Sequence, residues 1–218
     1  MKYKNPVAKL LKYGNCSDFQ AWPDYVCEVN LKSEHIPELI RMATDETLNR
    51  ADPDSSKVWA PLHAWRALGL LQAEEAIEPL MALFHVLEDD EWSAEELPIV
   101  YQMIGTKSIP ALGRYLKDSS HETFSRVIAA HSLERIGNTY PESKEKCQNI
   151  LEEQLKCFED NDPELNALLI SFLVDLQTLP ALPTMKKAFD SGNVDLRVGG
   201  DFEDIEIDLG VRKSRSTP

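Results

Sequence analysis

An all-α protein built of stacked helix pairs is the fold the sequence predicts, on three observations. A ten-residue phrase, Ile-Pro-x-Leu-x-Arg-x-x-x-Asp, occurs twice, as Ile36…Asp45 and Ile109…Asp118. Its apolar columns recur as Ile77, Leu80, Phe84 and as Leu182, Met185, Phe189, in the i, i+3, i+7 spacing of one helical face. A second apolar stretch precedes the later copies and ends at Gly69, Gly105, Gly137 and, in the last case, Gln177.

The elements follow in order. DFQAWPDYVCEV (18–29) is expected to be the first helix, ahead of the one that starts at Ile36. Proline sits in the first turn of each second helix, as Pro37, Pro79, Pro110 and Pro183, where its missing N–H removes no helical hydrogen bond. The starts at 36, 77, 109 and 182 are 41, 32 and 73 residues apart. The last gap is two periods of about 36 residues. KCQNILEEQLKCF (146–158) fills the missing place. In the first helices, VWAPLHAWRALG, ELPIVYQMIG, RVIAAHSLERIG and NALLISFLVDLQ, the residues Trp65, Tyr101, Leu133 and Leu173 share one column. Leu68, Ile104, Ile136 and Leu176 share another, and the terminal glycines are expected to be left-handed C-caps. One such pair cannot bury its own apolar face, and stacking copies does. The stretches 49–57, 88–96 and 159–164 are polar and acidic and read as loops.

Residues 1–198 therefore form a single α-solenoid of about five antiparallel pairs, with an acidic closing segment at 199–210 and a mobile basic tail at 211–218. In the closing segment, Ile205, Ile207 and Leu209 alternate with acids as in a strand, while Phe202, Ile205 and Leu209 fit a helix capped by Asp201. Both readings stay open.

Of 218 residues, 43% are hydrophobic, enough for a sizeable core. Net charge is −14, from 37 acids and 23 bases, so neither nucleic acid nor a membrane surface is an expected partner. No apolar run suits a membrane span or a signal peptide, which makes a cytoplasmic location the expectation. Cys16, Cys27, Cys147 and Cys157 lack metal-ligand spacing and are expected to be free thiols.

RVIAAHSLERIG followed by a Pro-x-Leu helix resembles the short HEAT-like repeat of the phycobilisome-lyase type, over roughly residues 30–195. GDFEDIEIDLG is similar to the segment that closes small bacterial proteins of that kind. The resemblance implies an armadillo-like helical architecture. As an alternative function it implies a bilin lyase or isomerase, or a chromophore chaperone, in which Arg41 and Arg114 would hold propionates and Cys27 or Cys157 would handle the thioether. HEAT-like hydroxylases bind iron through several His-Glu dipeptides, whereas this chain has His121-Glu122 and the reversed Glu34-His35. His63 and His131 share a column but lie two repeats apart, too far for one ion.

No nucleophile–base constellation, phosphate loop or G-x-G-x-x-G is present. The sequence thus points to a non-catalytic, cofactor-free scaffold for another protein with a basic surface. Trp92 among Asp89, Asp90, Glu91, Glu95 and Glu96 is the first contact patch. Arg41 and Arg114 come second, either as an inter-repeat ladder with Asp45 and Asp118 or as a groove.

Overall fold

A computed structural model describes residues 2–86 and 91–216, with the backbone alone at Val86 and Glu91. Every regular element among the described residues is helical. The chain folds as two compact units, Met1–Ser108 and Ile109–Pro218. No change of composition marks the division, which falls between a 3-10 turn, Thr106–Ser108, and the helix that begins at Ile109.

In the first unit the helices are α1 (Tyr25–Val29), α2 (Ile36–Ala43), α3 (Glu46–Asn49), α4 (Ala60–Leu70), α5 (Ile77–Met81), α6 (Leu83–Val86) and α7 (Glu91–Ile104). Helix α4 packs against α2 and α7, and α5 packs against the same two. In the second unit they are α8 (Ile109–Lys117), α9 (Thr123–Thr139), α10 (Lys144–Leu155), α11 (Pro163–Asp175), α12 (Leu182–Ser191), α13 (Leu196–Gly199) and α14 (Phe202–Asp208). Here α9 packs against α8, α10 and α11, while α10 also touches α8 and α12. A three-residue 3-10 turn immediately precedes each of α2, α5, α8, α10 and α12. Those five helices begin at the expected starts or, for α10, two residues before the expected copy.

The apolar columns explain the packing. Trp65, Tyr101, Leu133 and Leu173 are all buried, as are Leu68, Ile104, Ile136 and Leu176. Leu39, Leu80, Leu112 and Met185, the central residues of the second-helix phrase, are fully buried. Each such side chain contributes roughly 1.5–3 kcal/mol by leaving water.

Several expectations are corrected. The first helix is Tyr25–Val29 alone, because Pro23 cannot continue a helix and Asp24 caps the new start by accepting from the Cys27 N–H (3.0 Å). Residues 91–96 are helical rather than loop. Gly105 is left-handed, with φ 94°, but Gly69 and Gly137 lie inside α4 and α9. Gly137 is there for space: a Cβ would come within 2.8 Å of Leu176 Cδ2 and 3.2 Å of Cys147 Cβ. The left-handed turns after α4 and α11 fall on Gln72 and Gln177. Both are closed by Schellman-type bonds, Ala73 N–H to Leu68 O (3.0 Å) and Thr178 N–H to Leu173 O (2.9 Å). The closing segment is the helix α14, with Asp201 as its N-cap. The tail is held on it: Arg212 pairs with Glu203 (3.1 Å) and Glu206 (2.7 Å), and Arg215 with Asp201 and Asp204 (both 2.5 Å).

Candidate functional site

The second unit carries an open groove of about 970 Å³, lined by α8, α10 and the turn that follows α10. Gly113 lets the two helices approach, since a Cβ there would already stand 3.3 Å from Ile150 Cδ1. Ile109, Leu116 and Ile150 give the groove an apolar base, and Arg114, Lys117, Lys146, Glu142, Glu145, Glu153 and Asp160 supply charge. Arg126, from α9, reaches the groove although it is only 6% exposed.

Asparagines fix the wall formed by residues 156–162. Asn193 donates to Phe158 O (2.6 Å) and Asn161 O (2.9 Å), and Asn166 donates to Phe158 O (2.9 Å) and Asn193 O (2.8 Å). Asn161 in turn donates to Gln154 O (3.0 Å) and Asn166 Oδ1 (2.9 Å), and accepts from Gln154 Nε2 (2.8 Å). Buried and part-buried carbonyls and amides are satisfied in this way along the edge of the groove. Arg126 Nε donates to Leu116 O at 2.9 Å. Burial pulls its pKa down, although a guanidinium stays protonated at neutral pH.

The first unit holds an aromatic cleft of about 290 Å³. Trp59, Trp65, Trp92, Pro53, Pro61 and Leu62 line it, with Trp59 and Trp92 edge to face at 5.3 Å. Trp92 is half-buried, and Glu95 beside it is exposed. Glu96 is turned inward: both its oxygens accept from Arg66, one of them from Nε at 3.0 Å, and the Arg66 guanidinium lies 4.9 Å from the Trp22 ring centroid. Nearby, His63 Nε2 stands 2.9 Å from Gly14 O and must therefore donate. That leaves Nδ1 to accept from the Tyr25 hydroxyl at 2.6 Å. Burial holds His63 at a pKa of about 4 and pushes the neighbouring Cys16 thiol up to about 12. Burial thus disfavours both the thiolate and the imidazolium in this Cys–His approach (3.5 Å).

No family model, curated protein or solved structure matches the chain. The site therefore rests on its own geometry.

The expected site residues are distributed between the units. Arg114 lines the groove and donates to Pro110 O (3.3 Å). Arg41 pairs with Glu38 (3.0 Å) and stacks over Tyr3 at 4.1 Å. Asp45 accepts from the Tyr3 hydroxyl and caps α3, and Asp118 accepts from Ser120 N–H (2.9 Å). Trp92 and Glu95 lie beside the aromatic cleft, whereas Glu96 belongs to the interior. Asp89, Asp90 and the Glu91 side chain lie outside the described residues. All four cysteines are free, Cys16 and Cys147 buried, Cys27 and Cys157 exposed. Among the described residues no His, Cys, Asp and Glu group is placed to hold a metal, and no helix is long and apolar enough to cross a membrane. Arg126 and the asparagine wall were not anticipated. Arg126 had one visible signal: it sits three and four residues before the buried Ala129 and Ala130, on their helical face.

Proposed function

We propose that the chain is a HEAT-like array of about five antiparallel helix pairs and acts as a non-catalytic scaffold that binds another protein. The observation that carries this reading is the groove of about 970 Å³ along α8 and α10, with its apolar base, charged rim and hydrogen-bonded asparagine wall. Helix-pair arrays present such surfaces to extended partners, and interfaces combine an apolar centre with a polar rim. The repeated 3-10 turn and helix, five times over, supports the array. With a net charge of −14, the chain's field favours a basic partner, and the Trp59–Trp92 cleft beside Glu95 is a second contact.

Site-specific photo-crosslinking tests this reading. A photoreactive residue replacing exposed Asn149 in the groove, or Trp92, is expected to capture partner, with less capture as salt rises from about 50 to 500 mM. The same residue at exposed Lys12 is expected to capture none. Equal capture at all three positions, or none at any, contradicts the scaffold reading.

A bilin lyase or chromophore chaperone is the second reading. What favours it is that Arg114 and Cys157 line the same groove. Mixing the chain with a bilin and its acceptor subunit decides: no spectral shift and no transfer removes it.

A further inference from the structure

Arg126 is more than nine-tenths buried as a residue, yet the sole hydrogen bond of its guanidinium runs from Nε to Leu116 O, and it pairs with no carboxylate among the described residues. Its two terminal nitrogens make no hydrogen bond among those residues, and the residue lines the groove. Asp118 acts on it only through space, with no hydrogen bond or ion pair, whereas folded proteins normally pair a buried charge directly. The two free nitrogens of a guanidinium form a planar fork that matches an oxyanion in bidentate fashion.

We infer that the groove takes an extended basic segment of a partner carrying one carboxylate, and that this carboxylate docks on the terminal nitrogens of Arg126. The inference rests on the protein-binding reading and names the partner's chemistry. Charge matching selects the occupant. One guanidinium at the base balances one negative charge. Arg114, Lys117 and Lys146 line the groove beside the carboxylates Glu142, Glu145, Glu153 and Asp160. The preference for lysine or arginine on either side of the docked carboxylate therefore comes from the chain's net charge of −14, with Glu142, Glu145 and Asp160 as their contacts. The asparagine wall holds the edge of the site in place, so the partner does not have to order it on binding.

The test titrates the full chain, at constant ionic strength, with a lysine-flanked pentapeptide that has a central glutamate. Its glutamine counterpart, its phosphoserine counterpart, free glutarate and chloride serve as comparisons. The glutamate peptide is expected to bind saturably, and the glutamine peptide about tenfold more weakly, as loss of one charge-assisted bidentate contact implies. Arg126→Lys keeps the charge but loses the fork, and is expected to erase the difference between the two peptides. Should that variant not fold, the glutamate–glutamine difference in the unaltered protein still decides. Equal binding of the two peptides, or tighter binding of the phosphoserine peptide, overturns the inference. Glutarate binding above chloride with no peptide bound upholds the Arg126 site and rejects the peptide partner. Crosslinking at Asn149 that persists while the glutamate preference is absent rejects the carboxylate and leaves the scaffold reading intact.

Discussion

Arg66 in the first unit and Arg126 in the second are buried to nearly the same degree, 4% and 6% exposed, yet their surroundings treat them differently. Arg66 is met by both oxygens of Glu96 and covered by the Trp22 ring, so its charge is neutralised inside the protein, although its buried Nη1 makes no hydrogen bond. Arg126 has a single carbonyl, an open groove and no ion pair among the described residues, with Asp118 acting on it only through space. The first arrangement belongs to a core, the second to a site that is completed from outside. Burial alone therefore does not separate structural from functional arginines; the partner inventory does.

The largest effect expected from this contrast follows the removal of one carboxylate. Glu96→Ala leaves Arg66 buried and uncompensated and should cost about 3–5 kcal/mol in denaturant unfolding. Arg126→Met removes an unpaired cation and one hydrogen bond, and should change stability by no more than about 1 kcal/mol. Similar losses for the two variants would break the comparison.

Acid sharpens it next, because the polar core of the first unit includes a neutral histidine. The folded pKa of His63 is about 4, below its ordinary 6.5. Between those values the unfolded chain binds a proton that the folded chain refuses. Stability is thus fully present above pH 6.5 and falls as pH drops towards 4, by on the order of 3 kcal/mol from this group. His131, also at about 4, adds a smaller loss because its side chain is 32% exposed. Unfolding at pH 7.5 and 4.5 should show the fall, and His63→Gln should flatten it.

A smaller difference separates two glycines that the sequence aligns in one column. Gly137→Ala should cost about 1–3 kcal/mol through its clash with Leu176 and Cys147, in spite of better helix propensity. Gly69→Ala meets Met103 and Val100 at 3.4 Å and should cost less. Thermal melting of the pair ranks them. The smallest effect is that of Trp92→Ala, about 1 kcal/mol from the lost edge-to-face contact with Trp59, together with weaker partner capture. Loss of stability with capture intact would make Trp92 a packing residue alone.

The helix starts at Ile36, Ile77, Ile109 and Leu182 and the buried columns through Trp65 and Leu68 were legible, because one-sided burial writes itself as an i, i+3, i+7 pattern. The roles of Gly69 and Gly137 were not, since a glycine kept for close packing looks in sequence like one kept for a left-handed cap. Taking 88–96 for a loop hid Glu96; on a helix it stands four residues before buried Val100 and shares its face. The asparagine wall joins Gln154, Asn161, Asn166 and Asn193 across three elements, and no local pattern announces such a network. The burial of Arg126 was readable from Ala129 and Ala130, but that no carboxylate among the described residues hydrogen-bonds it is a fact of three dimensions.

The most direct measurement follows the side-chain Nε–H signals of Arg66 and Arg126 in one nuclear magnetic resonance spectrum as glutarate is added at constant ionic strength. The Arg126 signal is expected to shift saturably while that of Arg66, held by Glu96, stays in place. Arg126 unmoved, or both signals moving together without saturation as they would with chloride, would contradict the account of one arginine closed by the fold and one left for a ligand.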